Sequence, residues 1–200
     1  MIVNETASIF ITIILAYLLG SIPTALVVST RTKHLDIRSV GDGNVGARNT
    51  FHEIGPKFGV IVAVIDFTKG ALSVFLAYIL GLSLGWQMLA GIAAILGHDL
   101  PVFASFKGGQ GTATSIGTML VLCSVPTLIG LATYGILYLI IKRSIVSLGF
   151  GGALIALILC ISHQWVLFGY VVPVFLFIPI KRLIDSPRRK SIEMVKSSGS

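Results

Sequence analysis

The stretch SIGTMLVLCSVPTLIGLATYGILYLII, residues Ser115 to Ile141, decides how many times this chain crosses a membrane. The run is apolar almost throughout and is longer than the roughly 20 residues that one membrane helix needs. It contains Pro126, and proline disfavours helical conformation at the residue before it. The stretch therefore has two interpretations: one long helix, or two segments that turn back near Ser124–Pro126.

The whole chain has the composition of a membrane protein. Of its 200 residues, 54% are hydrophobic and only 12% are charged, whereas a soluble domain has about 25% charged residues. Further apolar runs extend roughly over residues 8–29, 58–82, 83–98, 145–162 and 164–180. Cys123 and Cys160 lie inside apolar runs, which indicates small buried side chains rather than a disulfide or a metal site.

The distribution of positive charge distinguishes the two interpretations of the quoted stretch. The chain has 15 Lys and Arg against 8 Asp and Glu, and cytoplasmic loops of membrane proteins are enriched in Lys and Arg. If the stretch turns back, the polar loop at 30–57, Lys107, Lys142, Arg143 and the basic C-terminal cluster all lie on one face. A single crossing would place Lys142 and Arg143 opposite the other basic segments, so the charge pattern favours two segments.

We therefore predict an all-α polytopic membrane protein with about seven transmembrane or re-entrant helices, an outside N-terminus and a cytoplasmic C-terminus. The fourth segment is short and can be re-entrant without changing this orientation. Residues 1–187 are expected to form one membrane-embedded domain, and residues 188–200 a polar cytoplasmic tail. The first seven residues have no positive charge and the first apolar run has no small-residue cleavage site, so we expect no cleavable signal peptide.

A polar loop with the sequence GDGNVGARN lies between the first two apolar runs, at residues 41–49. Its glycines permit positive φ angles, so that successive backbone N–H groups can converge on an anion; they are Gly41, Gly43 and Gly46. Asn44 adds side-chain donors, and Arg48 offers a bidentate fork for phosphate. A tight turn between membrane helices would use the same residue types, so this loop alone leaves both interpretations open.

A second glycine-rich loop, GHDLPVFASFKGGQGTAT, occupies residues 97–114 and leads into an apolar helix. A glycine loop before a helix N-terminus favours anions through free N–H groups and the helix dipole. The anion-binding candidates in this loop are Lys107, Gly108, Gly109 and Gly111. A re-entrant turn with a snorkelling lysine is the alternative, but two such loops on one predicted face favour phosphate binding.

Ionisable residues also occur within or next to the predicted membrane segments. Asp66 and Lys69 lie three residues apart on one helix face, where such groups usually face a protein interior or a water-filled cavity. A structural ion pair is the simpler interpretation, and a transporter or channel would depend on these two residues alone. His98 could carry a proton, bind phosphate or cap a helix, and His52 could face the same site as Asn49.

Four motifs occur in the order and spacing of one family: GSIPTA (20–25), GDGNVGARN (41–49), DFTKG (66–70) and GHDLPVFASFKGGQGTAT (97–114). The chain resembles the bacterial integral-membrane acyl-phosphate:glycerol-3-phosphate acyltransferases of the PlsY type. The resemblance implies a seven-helix membrane fold with a site that faces the cytoplasm. It also implies transfer of a fatty acyl group from acyl phosphate to the sn-1 hydroxyl of glycerol 3-phosphate, which yields lysophosphatidic acid and phosphate without a metal or an acyl carrier.

The chain departs from the family at several polar positions. The first loop of the family usually reads G-S-G-N-x-G-A-T-N-x-x-R, and here Asp42, Arg48 and His52 stand at the serine, threonine and arginine positions. Gln110 replaces the second lysine of K-G-G-K-G, and only Arg182-Leu183 remains of a closing H-R-x-N-I-x-R-L stretch. Asp42 adds a negative charge that is costly beside phosphate unless it is paired or protonated.

These residues lead to one assignment and one alternative. Asp42, Asn49 and His52 are expected to orient or activate the acceptor, and substrate binding is assigned to Gly41, Gly43, Asn44, Gly46, Arg48, His98, Lys107, Gly108, Gly109 and Gly111. We expect acyl phosphate and a polyol phosphate as substrates in the plasma membrane, contact with membrane lipid, and no nucleic acid, metal or cofactor. The alternative is a catalytically altered relative that binds phosphorylated lipid or another membrane enzyme.

Overall fold

The computed structural model describes residues 5–186 together with Ile192 and Met194. Within these residues the chain is helical and contains no β-strand, which confirms the all-α prediction. The helices are α1 (Glu5–Gly20), α2 (Thr24–Lys33), α3 (Ala47–Glu53), α4 (Pro56–Ile79), α5 (Leu84–Asp99), α6 (Thr112–Leu122), α7 (Ser124–Ile141), α8 (Ser144–Ile161) and α9 (Trp165–Ile184). Apart from Ile192 and Met194, the predicted tail lies outside the described residues.

In the described chain, six helical segments have the length and apolar composition to cross a membrane. They are residues 5–33, which join α1 and α2, then α4, residues 84–104, α7, α8 and α9. The remaining apolar helix, α6, has 11 residues and is therefore about 16 Å long, shorter than the roughly 30 Å hydrocarbon core of a bilayer. The seven apolar segments predicted from the sequence are thus present, and the fourth is the short one.

The stretch that decides the topology is divided into two helices at Cys123, which has a non-helical φ of −146° and ψ of 69°. Pro126 follows in the first turn of α7, where a missing N–H group costs no intrahelical hydrogen bond. The break therefore comes slightly before the expected turn at Ser124–Pro126. Helix α7 then runs antiparallel to α8, since Gly130 packs against Gly151 and the Tyr134 hydroxyl lies 3.3 Å from Ser144 Oγ.

Helices α4 and α6 cross with their backbones almost in contact. A Cβ atom placed on Gly70 of α4 would collide with the Thr114 carbonyl, and one placed on Gly117 of α6 would collide with the Phe67 carbonyl. Small residues at such crossings allow membrane helices to pack closely, because no side chain separates the two backbones. The close crossing fixes the N-terminal end of α6 beside the middle of α4.

The first membrane segment is broken at the sequence SIP, between α1 and α2. The Ile22 carbonyl at this break accepts hydrogen bonds from the Thr24 backbone N–H at 2.9 Å and from Lys69 Nζ at 2.8 Å. Lys69 also forms an ion pair of 2.9 Å with Asp66, as their three-residue spacing predicts. The N-terminal segment is therefore joined to the charged pair in the middle of α4.

Candidate active site

A cavity of about 610 Å³ lies between the glycine-rich loops and helices α6 to α9. One end is polar, and its charged and polar lining includes Asp42, Asn44, Arg48, Asp66, His98 and Arg182. The rest of the cavity is lined mainly by apolar side chains of α8 and α9. The cavity therefore combines a charged end with an apolar interior.

The loop at 41–49 is folded around the buried side chain of Asn49, which is 3% exposed. Its Nδ2 donates to the backbone carbonyls of Ile37 (3.1 Å), Val40 (3.0 Å) and Asn44 (3.1 Å). Its Oδ1 accepts from the backbone N–H of Asp42 at 3.2 Å. One amide side chain thus satisfies four backbone groups and holds the loop in one conformation, because buried backbone polar groups need partners.

Two glycines give this loop its path. Gly41 and Gly43 have φ angles of +60° and +67°, a left-handed conformation that other residues adopt only at a cost. Gly41 packs directly against Oδ1 of Asn49, so a side chain at position 41 would displace the amide that holds the loop. The predicted role of these glycines in permitting positive φ therefore agrees with the backbone geometry.

The charged residues of this loop line the cavity without pairing with each other. Asp42 Oδ1 accepts the backbone N–H of Asn44 at 3.1 Å, and no ion pair joins Asp42 to Arg48 among the described residues. Asn44 is 9% exposed, and its Oδ1 has no hydrogen-bond partner within the described part of the chain. Asp42, Asn44 and Arg48 therefore all line the same space.

A buried charged group lies beside this loop. Asp66 Oδ1 is 2.9 Å from Lys69 Nζ and 3.7 Å from His98 Nδ1, and each of the three residues is less than 9% exposed. The separation of Asp66 and His98 is too long for a direct hydrogen bond, but the two groups attract each other whenever the imidazole is protonated. His98 lines the cavity and can hold or transfer a proton there.

The second glycine-rich loop packs against the end of α5. The Gly109 N–H donates to the His98 carbonyl at 3.1 Å, and a Cβ atom at Gly108 or Gly109 would collide with His98. After this contact, Gly111 (φ +63°) precedes α6, whose first residues Thr112 and Ala113 line the cavity. The first N–H groups of α6 have no intrahelical acceptor, so this helix start is suited to an anion.

A hydrogen bond from Arg38 connects the approach to the first loop with the second loop. Asp36 and Arg38 form an ion pair of 2.7 Å just before the first loop, and Arg38 Nη1 donates to the Ala104 carbonyl at 3.4 Å. The Arg38 guanidinium holds the pKa of the Asp36 carboxyl below its ordinary value, and the carboxylate raises the pKa of Arg38. Arg38 therefore stays charged and connects the approach to the first loop with the second loop.

The predicted site residues fall into two groups. Those that line the cavity are Asp42, Asn44, Gly46, Arg48, His98 and Gly111. The others are not among the described lining residues. His52 and Lys107 are exposed, and the residues that hold the backbone of the two loops are Gly41, Gly43, Asn49, Gly108 and Gly109. The roles proposed for these residues in binding or catalysis remain predictions.

Several lining residues were not among the predicted ones, and Arg182 is the most prominent of them. It lies in the last turn of α9, next to Lys181, which is paired with Asp185 at 2.7 Å. The sequence signal that could have identified Arg182 is the dipeptide Arg182-Leu183, which this chain retains from the family's closing motif. In that register, the motif's histidine and asparagine positions correspond to Leu176 and Pro179, and both line the cavity.

A comparison with known families identifies the chain. A family model described as "Glycerol-3-phosphate acyltransferase" matches residues 10–187. The chain belongs to this family. The glycerol-3-phosphate acyltransferase of Endomicrobium trichonymphae is 37% identical over 187 residues, which cover 89% of this chain and 93% of that protein. Glycerol-3-phosphate acyltransferase 4 of Dehalococcoides mccartyi is 42% identical over 135 residues, 68% of this chain and 72% of the relative.

Solved structures of the family have the same fold. The chain matches a crystal structure of PlsY (YgiH), an integral membrane glycerol 3-phosphate acyltransferase in its glycerol 3-phosphate form, with a TM-score of 0.70 and 29% identity. The match covers 96% of this chain and 93% of that one. A lysophosphatidic acid form of PlsY gives a TM-score of 0.69 and 28% identity. The family resemblance and the membrane-protein class predicted from the sequence are confirmed.

Proposed function

We propose that this protein transfers a fatty acyl group from acyl phosphate to glycerol 3-phosphate at the cavity described above. Family membership makes the chain a membrane glycerol-3-phosphate acyltransferase of phospholipid synthesis. The acyl-phosphate donor, the roles of individual residues and a site that faces the cytoplasm from the plasma membrane are the proposed part. The products are lysophosphatidic acid and inorganic phosphate.

The observation that carries the proposal is that one cavity joins a charged end to an apolar interior. The donor has a phosphate at one end of a hydrocarbon chain, and the acceptor is a small phosphorylated polyol. A cavity with both characters can hold the two phosphates together while the chain lies among the helices. Holding the acceptor hydroxyl next to the acyl carbonyl in this way replaces a bimolecular encounter, which is a large part of the catalytic advantage.

Positive groups at the charged end account for phosphate binding. Arg48 and Arg182 line the cavity from opposite ends of the sequence, and arginine forms bidentate charge-assisted hydrogen bonds with phosphate. The start of α6 adds backbone N–H donors at Thr112 and Ala113. We assign these three features to the phosphate groups of donor and acceptor.

The chemical step needs a base for one proton and stabilisation of developing charge. The acceptor hydroxyl oxygen forms a bond with the acyl carbon, the bond from that carbon to the phosphate oxygen breaks, and phosphate leaves with the electron pair. We assign the hydroxyl proton to the carboxylate of Asp42, the acidic group of the loop that lines the cavity. His98, oriented beside Asp66, and the two arginines stabilise negative charge on the leaving phosphate.

Phosphate release by the purified protein tests this assignment. Release should require both acyl phosphate and glycerol 3-phosphate, and Arg48→Ala and Arg182→Ala should each lower kcat/KM for the acceptor about 10- to 100-fold. This range corresponds to the loss of one hydrogen-bonded charge of about 1.5–3 kcal/mol. Lys57→Ala is the matched control, because Lys57 is an exposed cation that is not among the described lining residues.

The same assay separates the alternatives. Release from acyl phosphate without any acceptor would indicate a hydrolase and contradict the proposal. Release with another polyol phosphate but not with glycerol 3-phosphate would keep the donor and correct the acceptor. A Lys107→Ala variant tests the sequence-based role of that lysine, and a loss as large as that of Arg48→Ala would place Lys107 at the phosphate in the working enzyme.

A further inference from the structure

The apolar part of the cavity is bounded on one side by α8, which lines it with Ile145 and Leu148 near the helix start and with small residues farther along. The small residues occur at spacings of three and four, which places them on one side of the helix, and they are Gly149, Gly152, Ala153 and Ala156. The facing wall comes from α9 and includes Val171, Val172, Phe175 and Leu176. Small residues on one wall and large ones on the other leave a long space between the two helices.

Two glycines on this face differ in what surrounds them. At Gly152 a Cβ atom would lie 2.6 Å from Cδ1 of Phe175, so the phenylalanine ring already occupies this place. At Gly149 a Cβ atom would have no heavy atom of the described chain within 4 Å, apart from its own helix and neighbours. Packing against another helix therefore explains Gly152, whereas Gly149 borders empty space.

The empty space is continuous with the charged end. The cavity that Gly149 lines is also lined by Arg48, Arg182 and Thr112 at the start of α6. Guanidinium groups and helix N-terminal N–H groups at one end and an apolar space at the other fit a ligand with an anionic head and a hydrocarbon chain. The small-residue face is therefore the part of the cavity that matches the hydrocarbon chain.

Position along α8 then corresponds to depth in the cavity. Ser144, at the start of α8, and Arg182, at the end of α9, both line the cavity on its charged side. With a rise of 1.5 Å per residue, Gly149 lies about 7 Å and Ala156 about 18 Å from Ser144 along the helix. A side chain added at Gly149 would restrict the space beyond the first part of a bound chain, which a short chain needs least, and one added at Ala156 would meet only the far end of a long chain.

We infer that the small residues from Gly149 to Ala156 determine which acyl-chain lengths the enzyme accepts. The position of each residue along α8 sets the chain length from which it takes effect. The inference rests on the proposed acyl-transfer function, because it names the part of the cavity that holds the transferred chain. Large side chains on this face should shorten the accepted chain, and the change should be greatest nearest the charged end.

Activity with octanoyl, lauroyl and palmitoyl phosphate tests this inference. Gly149→Leu should lower kcat/KM for palmitoyl phosphate at least tenfold more than for octanoyl phosphate. Ala156→Leu should affect palmitoyl phosphate and leave lauroyl phosphate almost unchanged. Gly135→Leu is the matched control, because its Cβ position in α7 is also open and Gly135 is not among the described lining residues; its chain-length profile should stay that of the parent.

Equal losses for all three donors in Gly149→Leu, or an unchanged profile, would overturn the inference. If Gly149→Leu does not fold, Ala153→Leu on the same face takes its place.

Thermal stabilisation by non-hydrolysable palmitoyl and octanoyl phosphonates provides a readout that is independent of turnover. If the parent transfers no acyl group, the proposed function fails. In that case, loss of stabilisation by the palmitoyl phosphonate in Gly149→Leu, but not in the parent or in Gly135→Leu, would still support the chain site. Equal stabilisation of the parent and of Gly149→Leu by this compound would refute it.

Discussion

At the scale of single residues, Asn49 determines the shape of the first glycine-rich loop. Its amide contacts four backbone groups between positions 37 and 44, and these contacts place Asp42, Asn44 and Arg48 at the cavity. The loop is therefore held by contacts within the protein itself. A preformed site avoids the entropy cost of ordering its groups on binding.

Replacing Asn49 by alanine should weaken both the fold and the activity. The free energy of unfolding should fall by about 2–4 kcal/mol, because several buried backbone groups lose their partner at about 1 kcal/mol each, and kcat/KM should fall at least tenfold. Thermal unfolding in detergent and phosphate release measure the two effects. Gln87→Ala is the control, since that amide donates only to the Leu82 carbonyl; a loss of stability as small as in the control would disprove the role of Asn49.

The sequence predicted several of the residues that line the cavity, and the roles assigned to them stay predictions. The glycine pattern and the loop arginine led to Gly41, Gly43 and Arg48, and His98 was also predicted at the site. The contacts of Asn49 could not be predicted, because its partners depend on the path of the loop in space. For Lys107 and His52, the sequence indicates chemical type but not the direction of the side chain, and both side chains are exposed.

At the scale of helices, the crossing of α4 and α6 carries the active-site geometry. It holds the start of α6, which faces the cavity, against the part of α4 that contains Asp66. Gly70 and Gly117 allow this contact because neither has a side chain between the two backbones. Separation of these helices would move the N–H groups of α6 away from the charged end of the cavity.

Gly117→Val should therefore destabilise the protein much more than the same substitution elsewhere in the membrane region. Overpacking of this kind costs about 1–3 kcal/mol or more, and here the new side chain would meet the Phe67 backbone. Gly135→Val introduces the same β-branched residue into a helix at a position with open space. Comparing the folded fraction of the two variants in detergent measures the difference, and equal stability would contradict the close crossing.

Hydropathy predicted the apolar segments but not the irregular points within them. The run from Ser8 to Ser29 reads as one segment in the sequence, and it is broken at Ser21–Pro23. The polar loop at 30–57 contains the short helix α3, which the sequence did not indicate. A sliding average of hydropathy does not detect a break that is stabilised by a distant partner such as Lys69.

At the scale of the whole molecule, the orientation in the membrane stays a prediction from the distribution of basic residues. Arg48 and Arg182, which are distant in sequence, both line the cavity. Cys123, at the C-terminal end of α6, belongs to an apolar cluster with Leu159 and Leu167, on either side of the α8–α9 turn. In the predicted orientation, the glycine-rich loops lie near the cytoplasmic face and this apolar cluster lies near the outer face.

Side-specific labelling of single cysteines tests this orientation in membranes. In a Cys123→Ala, Cys160→Ala background, cysteines that replace the exposed Lys57, Lys107 or Lys142 should react with an impermeant maleimide only from the cytoplasmic side. A cysteine that replaces the exposed His163 should react from the other side. Labelling of positions 107 and 142 from opposite sides would show that the stretch from Ser115 to Ile141 crosses the membrane as a single segment.

The charged pair in α4 also has a consequence for how the chain is made. The second partner of Lys69, the Ile22 carbonyl, lies 47 residues earlier in the sequence, so it is synthesised before Lys69. His98, which faces Asp66, follows only with α5. Charged groups within a bilayer need polar partners even when they are paired with each other, and the broken N-terminal segment offers such a partner as soon as α4 enters. We therefore expect the first two helices to act as an assembly partner for α4 during translation, before any substrate has a site to occupy.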